Sequence, residues 1–281
     1  MIGPNFIFNY RLKPINEANI SIDDLNFSYG FGVYETLKIR QGVIFFPEMH
    51  VNRLMNSAKI IKLEHSFQEK KILRSLENLQ KSNRLVNSNL KIMIIGGEKV
   101  EQSNLYIFAL NPLFVDDKFY KKGIKVITYY GERIFPQAKT LNMLLSVLSY
   151  REAKIQGAYD AVFVNKENFI TEGTRTNIFF TDNQNIYTPS KKHVLEGVTK
   201  ITLEKVAQEA GIKIIEKDLE LKDLDKYTGY FLTSTSSKVL PITTINNLTF
   251  KIPEIVREMR EKYNDFLNNY QKLKLKRRDY K

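Results

Sequence analysis

The sequence contains no cysteine and only three histidines, His50, His65 and His193. Disulfide staples, thiol nucleophiles and thiolate metal sites are thereby excluded, and no bound metal is expected from three scattered imidazoles. Also missing is any apolar run long enough to span a membrane, and the opening Met-Ile-Gly-Pro-Asn-Phe lacks the basic region and apolar core of a signal peptide. No internal repeat, low-complexity tract or Walker sequence is present. A soluble cytoplasmic protein with no membrane partner is the expectation.

What is there is globular in composition: 281 residues, 43% hydrophobic and 26% charged. That length suits two domains better than one. The net charge of +12 is unevenly placed, with +5 in the last eleven residues, Gln271 to Lys281. Such a tail can bind nucleic acid. A solvated, frayed terminus is the expected state, and nucleic acid is not counted among the partners.

Periodicity predicts a strand over Phe6 to Leu12 and a hairpin over Glu35 to Phe46, with Arg40-Gln41-Gly42 as its turn. Helices are predicted over Glu48 to Leu63 and again after a capping box at Ser66 and Glu69. Strands follow at Leu90 to Ile95 and Leu105 to Leu110. Pro112 and the polar stretch up to Gly123 break both periods. The expected division is therefore a small α/β domain over 1–113, a linker over 114–123 and a larger domain over 124–281. In the latter, Ile124 to Tyr129 reads as a strand, and Leu141, Leu144, Leu145 and Leu148 as the buried face of a helix ending near Gly157. Asn165 to Asn168 is a polar turn between strands, Thr199 to Ala210 a helix closed by Gly211, and Pro253 to Leu273 the last helix.

Several segments have residue types suited to chemistry. Gly30-Phe31-Gly32-Val33-Tyr34-Glu35 starts like a dinucleotide fingerprint, but Glu35 replaces the third glycine and a strand follows, so a Rossmann site is rejected. Lys139 stands in Gln137-Ala138-Lys139-Thr140-Leu141-Asn142, at the edge of an apolar helix where desolvation can turn an amine into a nucleophile. Glu172, followed by glycine between apolar strands, reads on its own as a loop carboxylate. Glu196-Gly197-Val198-Thr199 opens a helix whose free N–H groups favour an anion, and Thr233-Ser234-Thr235-Ser236-Ser237 offers hydroxyl donors.

In their order along the chain these segments resemble the fold-type IV, or class IV, pyridoxal-phosphate aminotransferases, the family of branched-chain and D-amino-acid aminotransferases and aminodeoxychorismate lyase. The resemblance runs from Asp24 to Pro241. It rests on Phe27 to Thr36, on His50-Val-Asn-Arg53-Leu with Ser57-Ala58, and on Lys139-Thr-Leu-Asn142. Thr171-Glu172-Gly173 through Asn177, Gly197-Val-Thr-Lys200, and Phe231 through Pro241 complete it. It implies an α/β fold of a small N-terminal and a larger C-terminal domain with pyridoxal 5′-phosphate between them, in a homodimer.

By that resemblance Lys139 would hold the cofactor as a Schiff base and move the substrate proton, and Glu172 would pair with the pyridine nitrogen. Arg53, the amides of Val198 and Thr199, and Ser234 and Thr235 would take the phosphate. Tyr34 would line the substrate side, and Arg133 or Arg175 would meet a substrate carboxylate. The activity implied is amino transfer from a branched-chain L-amino acid to 2-oxoglutarate in two half-reactions. Aminodeoxychorismate lyase is the alternative. A D-amino-acid enzyme is disfavoured, because Gly96-Gly97-Glu98-Lys99 stands where that type carries an Arg-x-His carboxylate trap. A basic binding protein on a relic of this fold is a third reading, against which the joint presence of Lys139, Glu172 and Arg53 argues.

Overall fold

In the computed structural model, which describes residues 1–279 and side chains through residue 276, the chain opens with strand β1 (Ile2–Phe8). Asn9 and Tyr10 take positive φ and reverse it into β2 (Arg11–Pro14). The single strand expected over Phe6 to Leu12 is thus a tight hairpin, because a backbone at positive φ cannot continue a pleated strand. After a short helix α1 (Leu25–Ser28) come β3 (Gly32–Arg40) and β4 (Val43–Ile44), joined at Gln41 and Gly42, whose φ angles of 46° and 75° are those of a primed hairpin turn.

Helix α2 (Pro47–Ile60) starts with a proline at its first turn, where no N–H is needed, and buries Val51, Leu54 and Ala58 at helical spacing. Helix α3 (Glu69–Ser82) is entered through Gln68 with no side-chain cap, so the expected Ser66–Glu69 capping box does not form. Strands β5 (Ser88–Ile95) and β6 (Asn104–Leu110) complete an antiparallel sheet of order β2-β1-β6-β5-β3-β4. One of its faces presents Val33, Leu37, Ile39, Leu90, Ile92, Ile94, Leu105 and Ile107 to the two helices, all fully buried. Each such side chain contributes roughly 1.5–3 kcal/mol by leaving water. The alternate residues on the opposite face include Tyr34, Thr36, Lys91, Met93, Tyr106 and Phe108.

The chain forms two compact units, Met1–Leu113 with Ala138–Asn142, and Phe114–Gln137 with Met143–Lys281. The five returning residues lie along the edge of β3: Thr140 bridges Val33, and the Leu141 N–H donates to the Gly32 carbonyl at 2.8 Å. They fall within the stretch assigned from sequence to the larger domain, whereas the expected linker region contains helix α4 (Asp117–Lys122).

In the second unit, β7 (Ile124–Tyr130), β8 (Asp160–Val164), β9 (Phe169–Gly173), β10 (Asn177–Thr181), β14 (Gly229–Ser234) and β15 (Lys238–Ile245) follow a path that returns on itself, because β9 pairs with both β8 and β10. The seam is one residue pair, Asn177 with Glu172. Outside that ring lie β11 (Ile186–Thr188), β12 (Ile214–Glu216), β13 (Leu219–Glu220) and β16 (Leu248–Thr249). Helices α6 (Val198–Glu209) and α7 (Glu254–Asp279) pack on β14 and β15, and α5 (Leu144–Ile155) packs on β8.

Helix α5 corrects an expectation. Its buried residues are Ser146, Ser149 and Ala153, while Leu144 is 67% and Leu148 46% exposed. The small residues let the helix approach the sheet, and Leu144 and Leu148 point outward. Among the described residues no helix is long and apolar enough to cross a membrane. The basic terminal segment continues α7 to Asp279, and Tyr280 and Lys281 lie outside the described residues.

Candidate active site

In the first unit, alternation along β3 divides its residues between two environments. Val33, Glu35 and Leu37 face the helices, whereas Tyr34 and Thr36 face away. Glu35 is consequently a carboxylate inside an apolar layer, 0% exposed. Its charge is met from α2, where His50 and Arg53 share a face three residues apart. Arg53 donates through Nε at 2.6 Å and Nη2 at 2.8 Å to the two carboxylate oxygens, and His50 Nδ1 lies 2.7 Å from Oε2. Burial pushes the Glu35 carboxyl up, but Arg53 and His50 together outweigh it and hold the group well below the ordinary carboxylate range. Burial pushes His50 down, with smaller contributions in the same direction from Arg53 and Lys139 and opposition from Glu35. A neutral imidazole facing a carboxylate must carry its proton on Nδ1, so His50 donates.

Lys139 is fixed by its backbone. Its N–H donates to Ser57 Oγ at 3.0 Å, and its carbonyl accepts from the Tyr34 N–H at 2.9 Å. Its Nζ lies over the Tyr34 ring, 4.7 Å from the centroid. Sequence reasoning assigned Tyr34, Arg53 and Lys139 to one site, and all three belong to this unit. It missed Glu35, His50 and Ser57 as the groups that hold them, although the alternation Val33, Glu35, Leu37 already put Glu35 on the buried side.

The second unit gathers another set. Glu172, Asn177 and Thr233 occupy one register row across β9, β10 and β14. Glu172 is 2% exposed, accepts from the Leu195 N–H at 3.3 Å and forms an ion pair with Arg133 Nε at 3.2 Å. Asn177 donates to the Leu195 carbonyl at 2.8 Å. The chain from Leu195 then enters α6 at Gly197, where a Cβ would collide with Asn177 Oδ1. Only glycine lets the helix start this close to the row. No side chain caps that helix start, so the N–H groups of Val198 and Thr199 remain for an anion. Ser234 Oγ bonds the Ser237 N–H at 3.0 Å and its hydroxyl at 2.7 Å, which shapes the β14–β15 turn carrying Thr235. Thr233 Oγ1, buried and without a hydrogen-bond partner, joins them. Arg175 is not part of this set; it lies exposed over the Tyr150 ring at 4.6 Å. Among the described residues no group of acidic and imidazole side chains could hold a metal ion.

The arrangement thus offers a positioned amine and a buttressed guanidinium in one unit. The other offers a buried carboxylate and a donor-rich helix start. A family model described as amino-transferase class IV matches residues 32–245. A Methanocaldococcus jannaschii protein named as a candidate branched-chain-amino-acid aminotransferase is 28% identical over 276 residues, spanning 92% of this chain and 94% of its own. The D-alanine aminotransferase of Bacillus licheniformis is also 28% identical, over 253 residues, with 86% and 89% covered. Among solved structures, the branched-chain aminotransferase of Thermoproteus uzoniensis with norvaline superposes with a TM-score of 0.85 at 22% identity, covering 93% and 94% of the two chains. The branched-chain amino acid aminotransferase of Thermobaculum terrenum in its PLP form gives 0.84 at 22%, covering 94% of each.

Proposed function

Because the chain belongs to the class IV aminotransferases, we propose that it moves the amino group of a branched-chain L-amino acid to 2-oxoglutarate, with pyridoxal 5′-phosphate as cofactor. The observation that carries this reading is the setting of Lys139, a lysine held at both backbone groups by Ser57 and Tyr34. The cofactor supplies an electron sink for the pair released when the substrate α-hydrogen leaves as a proton. Lys139 Nζ would hold the cofactor and, once the substrate amine has taken its place there, would be free as an amine to take up that proton and return it. Glu172 would keep the ring nitrogen protonated, a task suited to a buried carboxylate, here 3.2 Å from Arg133 Nε. Arg53, oriented by its two hydrogen bonds to Glu35, takes the phosphate with the Val198 and Thr199 amides and the Ser234 and Thr235 donors. The Gly197 cradle and the unpartnered Thr233 hydroxyl support an anion at this place.

The branched-chain assignment is supported by the archaeal relative. D-alanine is a second donor to be tested, because the B. licheniformis relative is as similar; the Gly96-Gly97-Glu98-Lys99 segment, without an Arg-x-His trap, weighs against it. The working form is a homodimer, a reading supported by the outward Leu144, Val147, Leu148 and Ile155 of α5. Cofactor-loaded protein is to be mixed singly with L-leucine, L-valine, L-isoleucine and D-alanine while its visible spectrum is followed. Conversion by the L-amino acids and reversal by 2-oxoglutarate is expected. Absence of conversion by any amino acid would refute transamination, and conversion by D-alanine alone would replace the donor.

A further inference from the structure

We propose that Lys91 is the binding group for the substrate α-carboxylate. This rests on the reading of Lys139 as the reacting amine. Lys91 sits in β5, paired with Thr36 of β3 and Phe108 of β6, on the sheet face turned away from α2 and α3. The neighbouring row on that face is Tyr34, Met93 and Tyr106. Lys91 Nζ lies 5.0 Å from the centroid of the Tyr34 ring, the same ring that Lys139 Nζ overlies at 4.7 Å. One aromatic side chain therefore gathers two ammonium groups, one with an assigned role.

The second ammonium has no carboxylate to answer it. Among the described residues no Asp or Glu lies within salt-bridge reach of Lys91, and the titratable groups that act on it are Tyr34 and the like-charged Lys139. Burial, and then Lys139, push its ammonium below the ordinary lysine range. A half-buried cation beside another cation is unfavourable in the free protein and favourable once an anion arrives, the property of a ligand counter-charge. The two arginines expected from the sequence to meet a carboxylate are otherwise engaged, Arg133 with Glu172 and Arg175 with the Tyr150 ring. An α-amino acid carries its carboxylate one bond from the carbon at which Lys139 would act, so both lysines can serve one small molecule. Met93, Tyr106 and Phe108 neighbour Lys91 on this face and offer apolar surface for the donor's side chain.

The test uses isothermal titration of cofactor-loaded protein with 4-methylvalerate and with its neutral amide, 4-methylvaleramide. The wild type is expected to bind the acid about tenfold or more tightly than the amide, the scale of one charge-assisted hydrogen bond. Lys91→Gln should erase that preference while leaving amide binding within about twofold, and Lys91→Arg should keep it. If Lys91→Gln does not fold, Lys91→Met makes the same comparison. A wild type that does not prefer the acid, or a Lys91→Gln protein that still does, overturns the proposal. If the protein takes up no pyridoxal phosphate, the aminotransferase reading falls, and the same acid-to-amide comparison on the unloaded protein still decides the role of the lysine.

Discussion

Glu35 costs the protein a buried charge, and its two partners decide what that charge does. With Arg53 attached by two hydrogen bonds, the carboxylate fixes a guanidinium that would otherwise sample several rotamers. Glu35→Gln should lower unfolding free energy by roughly 3–5 kcal/mol, the usual loss when one member of a buried pair is removed, measured by urea denaturation. It should also weaken binding of pyridoxal phosphate more than of pyridoxal, which has no phosphate for Arg53. Acid is a second probe. Both His50 and Glu35 have folded pKa values below their ordinary ones, so each contributes stability that is present at high pH and lost as pH falls. Unfolding free energy should therefore drop below the ordinary histidine value of 6.5 and again below the ordinary glutamate value of 4.5, with the lower step smaller in Glu35→Gln. Lys139→Ala should leave no borohydride-trapped cofactor adduct by mass spectrometry; a retained adduct would place the attachment elsewhere.

At the scale of elements, the start of α6 depends on one missing side chain. Gly197→Ala would press a methyl group into Asn177, displace the first turn and break the row that includes Glu172. Pyridoxal phosphate affinity should fall about tenfold or more, the worth of a charge-assisted hydrogen bond, while thermal stability changes less. Most elements were legible in the sequence, because period two and period 3.6 are written in residues such as Val33, Leu37 and Ile39 or Val51, Leu54 and Ala58. The polarity of α5 was not. A leucine period reports that one face is apolar; it does not report what covers that face, and here serines face the sheet. The β1–β2 turn escaped for another reason: Asn9 and Tyr10 adopt positive φ without a glycine to announce it. The candidate site was legible through its order of motifs. Its supports, Glu35, His50 and Ser57, are joined by contacts between distant positions that no local pattern displays.

For the whole molecule, the exposed stripe of α5 is the feature that calls for company. Leu144, Val147, Leu148 and Ile155 are exposed to 67%, 42%, 46% and 80%. Sedimentation should give a particle of twice the 32.8 kDa chain mass, and Leu148→Asp should shift it toward the monomer with loss of activity. Of the net charge of +12, much is gathered at the C-terminal end, whereas Arg53, Lys91 and Lys139 are single cations with separate assignments. The five-residue return of Ala138–Asn142 to the first unit has a consequence for the order of synthesis. A ribosome adding about 5–20 residues per second from the N-terminus must pass residue 142 before the first unit can be completed. The proposed cofactor-binding lysine is thus delivered with the last segment of its own unit, and a chain arrested near residue 113 has neither the Thr140 bridge to Val33 nor the amine.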